Sequence, residues 1–224
     1  MKTIETINGV EIIVQQDEKY FQVNDATGEE LKAIWQHIKD KYKGFENAFC
    51  FRNVEIPIKE LEVMGAKILD DATEIRLFRE DFDKLKKTEG KGSIANSTKI
   101  TPITLDNYDF FAKHHDATFP EGFWWTSERI RKEIDNWGVF ACFDGEEITD
   151  YVVIKRSAAE IFCIPSNDVV KAKALLVAAA LLAFGDGNDN MLYMIDESEV
   201  SCMEAAMELG FKKCGFYKGY TVDI

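Results

Sequence analysis

The densest chemistry in this chain is aromatic: Phe123-Trp124-Trp125 stands directly before Thr126 and Glu128. Three consecutive aromatics cannot share one buried face, so at least one is left to meet a ligand or to staple the helix that follows. Trp124 and Trp125, with Glu128, are candidates for holding an apolar or cationic group. Of the histidines, His37, His114 and His115, the adjacent pair lacks a third ligand at metal-binding spacing, so no metal is expected. Cys50, Cys142, Cys163, Cys202 and Cys214 are odd in number and contain no CxxC pair. That excludes a zinc ribbon or a thioredoxin-type site and fits a reducing, cytoplasmic setting.

Charge narrows the partners. With 40 acidic against 27 basic residues the net charge is −13. Phosphate recognition needs a basic stripe, and none stands out, so nucleic acid is not expected as a partner. An acidic surface suits a cationic substrate such as an amine, and equally keeps a protein dissolved. The opening MKTIETINGV lacks the apolar core of a signal peptide. The longest apolar run, residues 174–184, is 11 residues, short of the roughly 20 that span a bilayer. A cytoplasmic protein without membrane contact is expected.

The elements that must position any site follow from periodicity. Strands are predicted at 10–15 and 20–23. Thr27 with Glu30 three positions on is a capping box, and Leu31, Ile34, Trp35 and Ile38 fall on one face of the helix it starts, which Gly44 ends. A strand at 48–51, a short helix from Pro57 to Gly65 and a long strand at 68–78 complete the first half. Residues 85–97, LKKTEGKGSIANS, read as a linker between domains at 1–84 and 98–224. Beyond it come a strand at 100–105, a helix capped by Asp106, and a helix capped by Thr126 that carries Ile130, Ile134 and Trp137 on one face. Asp144-Gly145 marks a hairpin between 139–143 and 148–155. A strand at 161–164, a long helix at 169–184, a strand at 191–195, a helix at 202–209 and a closing strand complete the chain. Hairpins followed by a βαβ crossover predict an α/β (α+β) fold, a mixed sheet with helices on both faces.

The halves also repeat. Both run strand, helix, strand, helix, strand, with 20–23 answering 161–164, 48–51 answering 191–195, and the segment 60–67 matching 206–212. The ending MELGFKKCGFYKGY resembles the last helix and strand of the GNAT (Gcn5-related N-acetyltransferase) superfamily. The element order of 99–224 is similar to the whole GNAT fold, and that of the first half to its C-terminal part. The chain thus looks like a tandem GNAT protein with an incomplete N-terminal copy.

The resemblance implies acetyl-CoA as co-substrate, lying where two parallel strands splay. Its pantetheine arm would follow the backbone of Phe162, Cys163 and Ile164. Its pyrophosphate would meet the N–H groups that open the long helix, at Asn167, Asp168 and Val169. The glycines of the family's loop fall here on Lys171 and Lys173, and Asp168 replaces an arginine or glutamine. A β-carbon obstructs close approach to phosphate and a carboxylate repels it, while the two lysines supply compensating charge. The family's helix tyrosine falls on Ala206 and its asparagine on Glu199. That leaves Glu160, Glu197 and Glu199 as candidate bases and Tyr217 as a candidate acid. Trp124, Trp125 and Glu128 fall where the family lines its acceptor pocket. The implied activity is acetyl transfer to a small-molecule or peptide amine. The alternative is a catalytically inactive GNAT-fold binding or regulatory protein. A third reading is a homodimer-forming scaffold, since exposed terminal strands can pair between copies.

Overall fold

The computed structural model describes residues 2–88, 98–119 and 124–224. They form two compact units, Met1–Thr73 with Gly215–Ile224, and Glu74–Cys214.

In the first unit β1 (Lys2–Ile7) and β2 (Val10–Gln15) pair antiparallel around Asn8-Gly9, both at positive φ, as a tight primed turn requires. The sequence signal for β1 is weak because it lies at a sheet edge, with Ile4 exposed. A 3-10 turn, Gln16–Glu18, leads into β3 (Tyr20–Asn24). Helix α1 (Gly28–Lys41) starts at the predicted capping box: the Glu30 N–H donates to the Thr27 hydroxyl and the Thr27 N–H to the Glu30 carboxylate. Leu31, Ile34 and Ile38 are buried against Phe21, Tyr42 and Phe49. β4 (Glu46–Arg52) follows parallel to β3. Helix α2 (Ile58–Met64) stops at Gly65, whose φ of 71° suits a residue without a β-carbon. β5 (Lys67–Phe78) then begins. On its other side β4 pairs antiparallel with β11 (Lys212–Thr221), Tyr217 opposite Arg52 and Tyr220 opposite Phe49.

The second unit opens with the end of β5, where Ile75 and Leu77 are buried. Helix α3 (Arg79–Thr88) takes up the first residues of the expected linker, because Phe82 is fully buried and Leu85 packs on the same core. Residues 89–97 lie outside the described residues. β6 is Ile100–Pro102, shorter than predicted, although the Ile103 N–H still donates to the Val139 carbonyl of β7 at 2.8 Å. Thr104 and Asn107 then cap one another around a 3-10 turn, so α4 (Tyr108–Thr118) starts later than the Asp106 cap predicted. Helix α5 (Ser127–Lys132) keeps its predicted Thr126 cap but ends early. Ile134 falls in a 3-10 turn and Trp137 opens β7 (Trp137–Asp144), so the supposed single helical face is divided among three elements. The three side chains still meet in one cluster with Tyr108, Phe111 and Tyr151, which is why their spacing mimicked a helix.

The hairpin at Asp144-Gly145 connects β7 to β8 (Glu147–Lys155) as predicted. β9 (Glu160–Cys163), α6 (Val169–Gly185), β10 (Asn190–Asp196) and α7 (Val200–Glu208) complete the unit. Its strand order is β5-β10-β9-β8-β7-β6, with β9 parallel to β10 and the pairs β9–β8, β8–β7 and β7–β6 antiparallel. Almost every side of α6 is apolar, and nine of its residues are buried.

One order of elements recurs in both units. A hairpin leads to a 3-10 turn closed by a left-handed residue, Lys19 or Ala159, each at φ 47°. The carbonyl of that residue accepts a 2.8 Å bond from the next parallel strand, from Glu46 N in one case and Leu192 N in the other. A short helix then ends at a positive-φ glycine, Gly65 or Gly210.

Candidate active site

The parallel strand pairs in the two units differ in a way that bears on ligand binding. In the first unit β3 and β4 pair over five residues, from Tyr20–Glu46 to Asn24–Cys50. The Asp25 N–H extends the ladder to the Cys50 carbonyl at 2.8 Å, and the Arg52 N–H donates to the Asp25 carboxylate. That pair is zipped shut. In the second unit, among the described residues, the ladder joins Leu192 to Glu160 and Tyr193 to Ile161 and goes no further. β9 is also bulged on its other side: Ile161 faces Ile154 and Cys163 faces Val153, leaving Phe162 as the extra residue.

At the parting point four polar side chains gather. The Tyr193 hydroxyl, deeply buried, donates to Glu199 Oε1 at 2.8 Å, and Glu199 Oε2 accepts the Asp196 N–H at 3.1 Å. Cys202 Sγ, from the first turn of α7, donates to the Ile164 carbonyl at 3.2 Å. Cys163 lies within electrostatic range of both Glu199 and Cys202. Burial, reinforced by the Glu199 charge, pushes the Tyr193 hydroxyl well above its usual range and the Cys202 thiol up to about 12, so both stay protonated. Of the predicted carboxylates, Glu199 therefore sits in this cluster. Glu160 is half-buried at the start of β9, and Glu197 is exposed. Tyr217 belongs to the first unit, where its hydroxyl donates to Cys50 Sγ at 2.9 Å. Ala206, at the position of the family's tyrosine, is fully buried.

The start of α6 is closed on itself. Asp168 Oδ1 accepts the N–H of Val170 at 2.8 Å and of Lys171 at 3.1 Å. Asn167 is exposed just before this cap, and Val169 packs on the core. Lys171 Nζ reaches back to β8, 2.7 Å from Asp150 Oδ2 and 3.1 Å from Thr149 Oγ1. Asp150 is buried and also accepts from Ser166 Oγ at 2.6 Å. Burial pushes its carboxyl up, but these hydrogen bonds and the Lys171 charge outweigh burial and hold it below the usual range. Lys173 Nζ pairs with Glu208 of α7 at 3.0 Å.

The aromatic candidates are likewise engaged. Trp125 packs edge-on against Trp137 and Phe162, with ring centroids 4.8 and 5.6 Å away, so an acceptor candidate meets a candidate of the donor strand. Lys155 Nζ lies 4.3 Å from the Trp125 ring centre and 5.0 Å from that of Trp137. The Arg129 guanidinium covers Trp124 at 3.7 Å. Two of the protein's own cations thus occupy indole faces that an amine would use. Glu128 is exposed and pairs with Lys132, and Phe123 lies outside the described residues.

One positioning residue escaped the sequence reading. His115, which the sequence presents only as half of an adjacent pair, is buried: Nε2 donates to the Trp125 carbonyl at 2.8 Å, and Nδ1 accepts from the Tyr151 hydroxyl at 2.7 Å. The carbonyl partner fixes the tautomer, since it can only accept. Its sequence signal was the i+4 spacing from the core residue Phe111. Among the described residues, no group of three His, Cys, Asp or Glu is placed to share a metal, and no helix is long and apolar enough to cross a membrane.

No family pattern and no curated protein matches this sequence. Solved structures match it by fold. A GCN5-related N-acetyltransferase from Kribbella flavida superposes with a TM-score of 0.66 at 8% identity, covering 99% of this chain and 89% of that one. One from Sphaerobacter thermophilus gives 0.60 at 13%, covering 95% and 76%. A tandem GNAT protein from the clavulanic acid biosynthesis pathway gives 0.61 at 11%, covering 95% and 78%. The chain has the fold of the GNAT acetyltransferases, a mixed sheet flanked by helices.

That fold implies acetyl-CoA, and the residues present fit it unevenly. The parallel ladder ends after Tyr193–Ile161, where an extended amide arm would lie, whereas the N–H groups of Val170 and Lys171 already hold a carboxylate and both candidate lysines are paired with acids. The diphosphate end does not fit the start of α6.

Proposed function

We propose that the second unit is an acyltransferase of the GNAT type, moving an acyl group from a thioester to a small-molecule or peptide amine. The observation that carries this reading is the ladder that stops after Tyr193–Ile161 while its counterpart in the first unit runs closed. Backbone beyond that point is not paired with β10, and since the Ile164 carbonyl already accepts from the Ser166 N–H and Cys202 Sγ, an extended thioester arm would meet the amides that remain. Residues 162–164 are the backbone it would meet, and Trp125 beside Phe162 marks the acceptor side. Glu199 is the group best placed to take the proton released by the attacking amine. Tyr193 fixes its carboxylate at 2.8 Å.

The test is mass spectrometry of a panel of primary amines and a lysine peptide incubated with acetyl-CoA. Acetylated product is expected above the uncatalysed rate, and about a hundredfold less with Glu199→Gln, in keeping with the loss of a general base. Absence of product with every amine would leave the second reading, a GNAT-fold binding or regulatory protein. Ala206 at the tyrosine position and the carboxylate at the start of α6 both favour that reading.

A further inference from the structure

We infer that this chain does not anchor a diphosphate at the start of α6, and that Asp168 is the residue that excludes it. A thioester donor is then selected by its acyl-pantetheine arm and not by its nucleotide. The arm rests on the acyltransferase reading above; the exclusion of diphosphate stands on separate observations.

A helix N-terminus attracts an anion because its first N–H groups lack partners and carry the positive end of the helix dipole. Here the anion is built in. Asp168 Oδ1 lies 2.8 and 3.1 Å from the second and third nitrogens of the helix, a position a phosphate oxygen would otherwise take. The Asp168 N–H is itself turned to Ser166 Oγ at 3.3 Å. The nearby cations of α6 that would offset this carboxylate are committed elsewhere. Lys171 is held against β8 by buried Asp150 and by Thr149, and Lys173 is held by Glu208. No glycine occurs between Ile164 and Lys173 to let backbone approach a phosphate closely. The net charge of −13 adds a general penalty for a polyanion.

Calorimetric titration of the whole chain, of Asp168→Gly and of Asp168→Asn, with inorganic pyrophosphate, CoA and pantetheine, separates these statements. Asparagine keeps the cap and removes the charge, while glycine removes the plug at small cost to folding. For the wild type, no binding of pyrophosphate at millimolar concentration is expected, and CoA should bind no more than about threefold tighter than pantetheine. Asp168→Gly should bind pyrophosphate and CoA about tenfold or more tighter than wild type, with pantetheine unchanged. Asp168→Asn, still plugged, should remain closer to wild type than to the glycine variant. CoA binding to wild type tenfold or more tighter than pantetheine would overturn the inference. So would a glycine variant with unchanged pyrophosphate affinity. If pantetheine binds none of the three proteins, the acyltransferase reading fails, while the pyrophosphate comparison still decides the role of Asp168.

Discussion

His115 shows how a single buried side chain ties the Trp125 segment to stability. Burial lowers its pKa below the usual 6.5, against the opposing pull of its bond to the Trp125 carbonyl. The folded state therefore prefers the neutral ring, and the unfolded state takes up a proton first on acidification. The stability this ring contributes is complete above about pH 6.5 and is lost as pH falls from there toward the folded value. Urea midpoints measured at pH 7.5 and 5.5 should drop on acidification, and the drop should shrink in His115→Gln. An equal drop in both proteins would mean that other groups govern this range. At this scale the sequence was partly legible. Glu199 could be found because a strand end positions it. Tyr193 and Tyr151 could not, because the partners that give them meaning are joined by tertiary packing. Lys171 and Lys173 were visible as cations, but the acids that neutralise them come from β8 and α7.

Among the elements, local chemistry decided what could be read. The capping box at Thr27, the glycines after α2 and α7 and the Asp144-Gly145 turn are short-range signals, and each stands where predicted. α3 was missed because its sequence is rich in charge, and two residues, Phe82 and Leu85, carry its attachment to the core. The early end of α5 was missed because a strand and a turn can present the same apolar cluster as a helix. α6 is legible as a buried helix, and its packing sets a tight tolerance on β7. A β-carbon on Gly138 would come within 2.2 Å of Leu182 Cδ2 and 3.0 Å of Ile154 Cγ2. Gly138→Ala should cost about 1 to 2 kcal/mol by overpacking, and Leu182→Ala in the same chain should recover part of it. Chemical denaturation of the two single variants and the double variant gives the coupling. Additive losses would show that the contact is absent.

For the whole molecule, the recurrence of one element order in both units was legible as a repeat, whereas the difference between their parallel strand pairs was not. Whether a ladder zips or parts depends on registers and bulges that no local pattern encodes, yet it is the feature on which the function proposed for the second unit rests. Amide hydrogen exchange with and without millimolar acetyl-CoA tests that assignment most directly. Added protection is expected at residues 162–164 and 193–196, with no change at 20–25, where Asp25 already closes the pair. Unchanged exchange at 162–164, or equal protection at 20–25, would contradict it.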